Sequence, residues 1–440
     1  MNMSKRKEKY LSIYSVILVV VLMLAQINES TTLLSVLFVG IALLFFNPVF
    51  ILPVFIISSL GNTFFAYDGI SISRIIGFLL IAACLMAQIR NRIPIKKIGF
   101  IFLVIFFIYT LISSAFSITG SFVSFIVFMQ SLVVVFLLSQ LRNINLHNLS
   151  WILIISSVVT IIIFSFWFKE NIIELGIQRL SVSEDTSINR LATMISQLIA
   201  ILFTGFLIPG KNKLIKIILF STILIGLILI IFTGTRSALI AIIVSIVIIT
   251  LYFFKIYTKK VIIYLPLIIL VGYLFINQFQ ELDIHVLKRF TVEEVQDDAG
   301  SGRIGVWKAL VPKTFKDGLF FGFGFGAENV YDLAKQYGFR FSAHNLLIDM
   351  FIQMGLTGLI LFFTYFFILA KKLLKSIDNP YILVPVMILL TGLINGIGET
   401  VFLEKFFWNG IALAWLYLNN LPNSLKMSKQ TYIKEANEPV

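Results

Sequence analysis

The chain has 440 residues, of which 59% are hydrophobic and only 13% are charged. A soluble domain carries roughly 25% charged residues, so this composition excludes a protein whose whole surface faces water. A formal charge of +13 would suggest nucleic acid as a partner of a soluble protein. In a membrane protein it reflects basic loops beside anionic lipid headgroups, and we expect no nucleic acid partner.

Apolar runs long enough to cross a hydrocarbon core of about 30 Å recur along the chain. They predict an all-α, polytopic integral membrane protein with about 12–14 transmembrane helices. The predicted spans cover residues 11–27, 32–46, 48–60, 73–89, 98–118, 121–139, 150–168, 190–208, 215–232, 237–254, 261–278, 344–370, 381–398 and 405–419. The second and third spans are short and joined at Asn47-Pro48, so a single bent helix is the alternative there.

The distribution of basic residues decides the topology. With two separate passes between residues 32 and 60, every strongly basic connection falls on the side of the N-terminal lysines, as the positive-inside rule requires. We therefore expect both termini in the cytoplasm. The domains would be a first part of the helical bundle (1–278), a large extracytoplasmic loop (279–343), the last transmembrane helices (344–419) and a cytoplasmic tail (420–440).

The predicted outer loop contains two recognisable segments. Between Arg303 and Lys316, apolar residues recur at helical spacing and predict an amphipathic helix; they are Ile304, Trp307, Leu310 and Val311. This helix would either lie in the membrane interface, anchored by Trp307, or pack on the protein's own outer surface. The stretch Gly322–Gly326 alternates Gly with Phe and predicts a flexible or sharply turning segment, because no Lys or Ser/Thr closes it as a phosphate loop.

Three arginines on the predicted outer side are candidate site residues. Arg236 is the only charged residue between Lys216 and Lys255, in a very tight turn between two spans. Such an arginine either snorkels to lipid headgroups or lines a site, where its planar fork suits phosphate. Arg190 begins the next candidate span, and Arg179 precedes it in the same loop. For both of these, a loop-end charge with no partner is the alternative.

His344 begins another predicted span, with Ser342 as the expected N-cap. Its imidazole can exchange a proton near neutral pH and would serve as a base or a hydrogen-bond donor, although spacing alone favours a structural histidine. Eleven residues later, Gly355 and Gly358 would permit close helix approach. With one cysteine, three histidines and few carboxylates near the membrane, we expect neither a metal site nor a cofactor.

These motifs together resemble the O-antigen ligase and polysaccharide polymerase superfamily. His344-Asn345, followed after nine residues by Gly355 and after two more by Gly358, is similar to its signature. Residues 233–238 resemble its TG-x-R-[GS]-A turn, and 302–307 with 322–326 resemble its large outer loop. The resemblance covers roughly residues 170–370.

The resemblance implies a multi-span, GT-C-like glycosyltransferase in the bacterial inner membrane with its site on the extracytoplasmic side. Its substrate would be a glycan on undecaprenyl diphosphate, polymerised into capsule, exopolysaccharide or O-antigen. The alternative is a ligase that transfers the glycan to lipid A core. The implied partners are this lipid-linked glycan, membrane lipids, a chain-length regulator and a repeat-unit flippase.

The resemblance also assigns residue roles. Arg236 and Arg190 would hold the donor diphosphate with Arg179 in the same loop, His344 would face the acceptor with Asn345 beside it, and Arg303 would lie on the covering loop. Because guanidinium groups can neutralise a diphosphate, metal-independent transfer is expected. Direct displacement at the anomeric carbon would invert its configuration. A flippase or secondary transporter is the competing class, for which internal repeats and helices interrupted at mid-membrane are typical.

Overall fold

The computed structural model describes residues 5–27, 30–45, 47–60, 66–67, 70–91, 97–115, 122–174, 188–208, 212–257, 303–339 and 343–421. These contain fifteen α-helices, one short 3₁₀ turn (Pro380–Ile382) and one two-residue antiparallel hairpin, β1 (Ala66–Tyr67) and β2 (Ile70–Ser71). The helices are α1 (Lys5–Ile27), α2 (Thr31–Leu43), α3 (Pro48–Leu60), α4 (Ile72–Asn91), α5 (Lys97–Ala115), α6 (Phe122–Gln140), α7 (Leu146–Glu174), α8 (Ile188–Leu207), α9 (Lys213–Thr233), α10 (Arg236–Tyr257), α11 (Arg303–Asp317), α12 (Ala327–Gln336), α13 (Leu346–Lys375), α14 (Leu383–Asn395) and α15 (Lys405–Asn420).

The predicted all-α, polytopic membrane architecture is confirmed. Every predicted span has a matching helix except 261–278, which lies outside the described residues. The segment between 32 and 60 forms two helices, α2 and α3, and not one bent helix. Six of the described helices are long and apolar enough to cross a membrane by length and composition: Arg6–Ala25, Ile72–Arg90, Leu146–Trp167, Ile188–Leu207, Lys213–Thr233 and Leu346–Lys375.

The outer surface of the bundle is apolar, as a lipid-facing surface must be. Large hydrophobic side chains such as Val39, Ile101, Phe166 and Leu251 are exposed on α2, α5, α7 and α10. Such side chains would be costly in water but face hydrocarbon without cost. The centre is α8, of which nearly every residue is buried. It packs against α7, α9, α10 and α14.

Antiparallel neighbours bring one set of helix ends together. The end of α9 and the starts of α8 and α10 meet through Thr235, whose hydroxyl donates to Asn189 at 3.2 Å. The start of α13 meets the end of α14, where the backbone N–H of Leu346 donates to the carbonyl of Gly396 at 2.6 Å. We call this the site end. At the opposite end, His147 bonds Tyr381 at 2.8 Å between α7 and the 3₁₀ turn.

The amphipathic helix predicted in the outer loop exists as α11, but its apolar face is only partly the one expected. Val306, Leu310 and Thr314 are buried, whereas Ile304 is 43% exposed. The buried positions follow a spacing of four residues, which forms one stripe on a helix. Trp307 donates its indole N–H to the carbonyl of Ala343 at 2.7 Å. The helix therefore packs on the protein itself, against α12 and α13.

Helix α13 is interrupted at Gly355, which the sequence predicted only as a site of close approach. Gly355 has φ 62° and ψ −166°, a conformation that is essentially restricted to glycine. The break leaves backbone groups of the helix without their usual partners. The N–H groups of Phe323 and Gly324 donate to the carbonyls of Ile352 and Gln353 at 2.8 and 3.2 Å.

The stretch Gly322–Gly326 thus serves as a backbone partner for the broken helix. Its three glycines all have positive φ, which confirms a sharply turning segment. On the other side of the break, the N–H of Leu356 donates to Leu319 at 2.7 Å. A helix interrupted within a membrane needs such substitutes, because lipid offers no hydrogen bonds. The interruption is satisfied by the protein's own loop.

We predict that Gly355→Ala destabilises the fold strongly. A Cβ at Gly355 would lie 2.5 Å from the backbone carbon of Phe320 and would also have to adopt a glycine conformation. The conformational strain alone is about 1–3 kcal/mol, and the backbone clash adds to it. Thermal unfolding in detergent measures the loss.

The matched control is Gly338→Ala. Gly338 also has positive φ, but a Cβ there meets nothing within 4 Å. It therefore carries the conformational cost without the clash. Equal losses of unfolding temperature in the two variants would contradict the backbone-clash account.

Candidate functional site

The connection between α14 and α15, residues 396–404, is the centre of the candidate site. It lies at the site end, and its side chains contact Arg190, Arg303, His344 and Asp349, while its Gly398 lies against Ser237. The sequence predicted only that carboxylates near the membrane are few, and it assigned no role to Glu399 or Glu404. The described contacts make them the residues that join the predicted site together.

His344 stands immediately before α13, in a backbone conformation unusual for a side-chain-bearing residue. Its φ is 46°, in the left-handed region, where histidine is among the residues found more often than most. The helix cap is Asn345 and not the predicted Ser342: its side-chain oxygen accepts from the N–H groups of Leu347 and Ile348 at 3.0 and 3.2 Å. His344 is therefore held at a fixed corner where the chain enters the helix.

Asn345 uses both ends of its amide side chain on backbone groups. Besides capping α13, it donates to the carbonyl of Ile397 at 2.9 Å. Its own N–H donates to Asp349 at 3.2 Å, and the same carboxylate accepts from the Thr400 hydroxyl at 2.5 Å. These bonds tie the start of α13 to the 396–404 connection. The substrate contact expected of Asn345 stays a prediction.

Glu399 lies between His344 and Arg303. One carboxylate oxygen is 3.6 Å from the imidazole Nδ1, and the other is 3.6 Å from a guanidinium nitrogen of Arg303. Both distances exceed a hydrogen bond, and within the described ranges neither Nδ1 nor the Oε1 oxygen has a hydrogen-bond partner. Catalytic hydrogen bonds are often long in a substrate-free site and tighten when substrate binds.

Arg303 begins α11 and is fixed from two sides. It donates to the carbonyl of Gly398 at 2.5 Å and faces Glu399. Four residues along the same helix, Trp307 holds Ala343, the residue before His344. The helix of the outer loop thus positions both its own arginine and the chain that carries the histidine.

The turn that carries Arg236 is as tight as predicted. Gly234 ends α9 in the left-handed conformation with φ 65°, and α10 begins two residues later at Arg236. Gly398 lies directly against Ser237: a Cβ on this glycine would be 2.9 Å from the serine Cβ. The absence of a side chain at Gly398 lets the turn approach the connection that carries Glu399.

Arg190 forms an ion pair with Glu404 at 3.0 Å, with 48% of the arginine side chain exposed. The alternative of a loop-end charge with no partner is therefore wrong for Arg190. Arg179 lies outside the described residues. Of the other five predicted residues, Arg190, Arg303, His344 and Asn345 contact the 396–404 connection directly. The fifth, Arg236, precedes Ser237, which lies against Gly398 of the same connection.

Two further cations at the site end were missed. Lys405, the first residue of α15, is only 1% exposed, and its ammonium donates to Ser73 at 3.0 Å. Arg74 follows this serine at the start of α4. The signal available in the sequence was a lysine opening an apolar span, next to Glu404. Its pairing with the start of α4 could not be read from spacing.

The arrangement combines several cations, one imidazole and carboxylates in a partly exposed region. Such cations suit a bound phosphate, and an imidazole beside a carboxylate suits proton transfer. Within the described ranges, no group of three or more His, Cys, Asp or Glu residues is placed to hold a metal ion. The fold and the site define a polytopic membrane protein with a cluster of cations, one imidazole and carboxylates at one end of its bundle.

Residues 220–363 match the model of a family described as O-antigen ligase. The matched region includes the Arg236 turn, α11, the Gly322–Gly326 segment, His344 and the break at Gly355. The resemblance to the O-antigen ligase and polysaccharide polymerase superfamily is thereby confirmed for this part of the chain. The comparison with curated proteins found no match.

Proposed function

We propose that the protein polymerises oligosaccharide repeat units carried on undecaprenyl diphosphate into a surface polysaccharide. The observation that carries the proposal is the convergence on Glu399. This carboxylate joins Arg303 and His344 at the end of the bundle where Arg190 and the Arg236 turn also lie. The family match supports glycosyl transfer by ligase- or polymerase-type chemistry.

The reaction forms one glycosidic bond and breaks one sugar–phosphate bond. A hydroxyl of the acceptor sugar attacks the anomeric carbon of the donor, its proton passes to His344, and undecaprenyl diphosphate leaves with the bonding electrons. Direct displacement inverts the configuration of that carbon. Arg236 and Arg190 neutralise the leaving diphosphate, since charge stabilisation in the transition state is commonly the largest catalytic term.

Glu399 positions the groups that react. Its carboxylate orients the His344 imidazole and stabilises the positive charge that the ring gains with the proton. By facing Arg303 as well, it couples the histidine to the outer-loop helix α11. The second carboxylate, Glu404, holds Arg190 in place until a phosphate competes for the guanidinium.

The site end would face the extracytoplasmic side of the bacterial inner membrane, with both termini in the cytoplasm. The support is the basic character of the opposite connections, where Lys371, Lys372 and Lys375 end α13 and Lys213 begins α9. Reporter fusions after Lys213 and after Lys375 should give cytoplasmic signals. A periplasmic signal at either position would overturn this orientation.

Purified protein in lipid nanodiscs, given one lipid-linked repeat unit, should form a ladder of longer glycans and release undecaprenyl diphosphate. Because arginines supply the charge neutralisation, the ladder should persist in EDTA. A loss in EDTA that added Mg²⁺ or Mn²⁺ restores would contradict metal-independent transfer. Absence of any ladder from protein that binds the substrate would contradict the polymerase assignment.

A ligase is the second candidate, because the matching family is described as O-antigen ligase. It would transfer a finished glycan from the same donor to lipid A core. The nanodisc assay separates the two functions when lipid A core is added. A single transfer to lipid A core, with no ladder in its absence, would favour the ligase.

A further inference from the structure

Lys405 and Arg74 are two basic residues that lie close together at the site end, on either side of Ser73. The ammonium of Lys405 is buried, with a serine hydroxyl as its hydrogen-bond partner. Arg74 directly follows Ser73, the serine that accepts from Lys405 at 3.0 Å, so the two basic residues are neighbours across α4 and α15. Like charges at short range, partly removed from water, are costly unless an anion compensates them.

The nearest carboxylate compensates this pair only in part. Glu404 precedes Lys405 in the chain and attracts its charge, but it makes its ion pair with Arg190 at 3.0 Å. Of the described residues, none forms an ion pair with Lys405 or Arg74 within 4 Å. The Nε of Arg74 is buried and has no hydrogen-bond partner among them. The charges are therefore available to an external anion.

Hydrogen bonds hold the backbone and side chains around Arg74 and Lys405 in place. The backbone carbonyl of Arg74 accepts from Gln130 at 2.7 Å, which fixes the start of α4 against α6. The hydroxyl of Ser73, which accepts from Lys405, also forms a hydrogen bond with the hydroxyl of Ser71 at 2.8 Å. Arg74 is half-buried, whereas Lys405 is only 1% exposed.

We propose that Arg74 and Lys405 form a second anion-binding subsite, which takes the diphosphate of the acceptor lipid. The proposal rests on the proposed polymerase function, because there donor and acceptor both carry a polyprenyl diphosphate. This subsite adjoins the donor site of Arg190 and Arg236, because Glu404, the ion-pair partner of Arg190, is the residue before Lys405. The acceptor would be held by its headgroup while its far sugar reaches His344.

Native mass spectrometry of the full chain with undecaprenyl diphosphate tests the proposal. The wild type should bind two lipids. Arg74→Gln should weaken one of them about tenfold to a hundredfold, as expected for a lost charge-assisted contact, and Arg236→Ala should weaken the other. Arg74→Lys should retain most of the affinity. Arg90→Gln, the same substitution at the exposed far end of α4, should leave both lipids bound.

Three outcomes would overturn the subsite. They are a wild type that binds a single lipid, an Arg74→Gln variant that still binds two with unchanged affinity, and displacement of the second lipid by phosphatidylglycerol at equal concentration. The last would identify an ordinary phospholipid site. Failure of the polymerase function would look different, as two bound lipids with no ladder of products.

Discussion

His344→Asn should reduce polymer formation by about 10² to 10⁴, the usual loss when a general base is removed. Asparagine is the most informative replacement because it tolerates the left-handed backbone at φ 46° and retains hydrogen-bonding groups. It cannot accept a proton at neutral pH. The rate of ladder formation in nanodiscs measures the effect, while binding of undecaprenyl diphosphate should stay unchanged.

The control for this variant is His147→Asn. His147 lies at the opposite end of the bundle, bonded to Tyr381, so its substitution should leave the rate intact. If His344→Asn formed polymer at the wild-type rate, His344 would have only a structural role, and another group would have to accept the proton. Glu399, 3.6 Å from Nδ1, would be the first to test.

Arg236→Ala should lower the rate by about 10² to 10³, comparable to the removal of one group that stabilises transition-state charge. Arg236→Lys should recover only part of it, because an ammonium keeps the charge but loses the planar fork that contacts two phosphate oxygens. The measurement is again ladder formation, normalised to the amount of folded protein. Arg90→Ala at the far end of α4 serves as the control for the loss of an exposed arginine.

Full activity of the lysine variant would mean that Arg236 contributes only its positive charge and not the planar geometry of its guanidinium. Full activity of the alanine variant would mean that Arg236 only snorkels to lipid headgroups. Since Gly398 allows the turn to approach the 396–404 connection, Gly398→Ala offers a further comparison. It should lower activity with Arg236 still present, by displacing the turn.

The spans could be predicted because they follow from one local property. Long apolar runs suffice to cross a bilayer, and the distribution of basic loops correctly favoured two separate helices, α2 and α3, over one bent helix. The tight Arg236 turn was also local, since Gly234 and the two flanking spans are adjacent in the chain. Such features need no knowledge of which helices become neighbours.

The organisation of the site depended on contacts between distant segments and could not be derived in this way. Glu399 is 55 residues from His344 and 96 from Arg303 along the chain, and nothing in its surroundings marks it as their partner. The pairing of Lys405 with Ser73 spans 332 residues. Gly355 was found by its motif, but its role in breaking α13 depends on residues 319–324, which supply the replacement hydrogen bonds.

The length of α13 also bears on the depth at which the reaction would take place. From Leu356 to the first lysine at 371, the lower segment rises about 1.5 Å per residue over 15 residues, or about 22 Å. The upper segment, residues 346–354, adds about 13 Å. Together they exceed a hydrocarbon core of about 30 Å by about 5 Å. His344 would therefore sit at the level of the lipid phosphates, where a membrane-anchored diphosphate can present its sugar without leaving the bilayer.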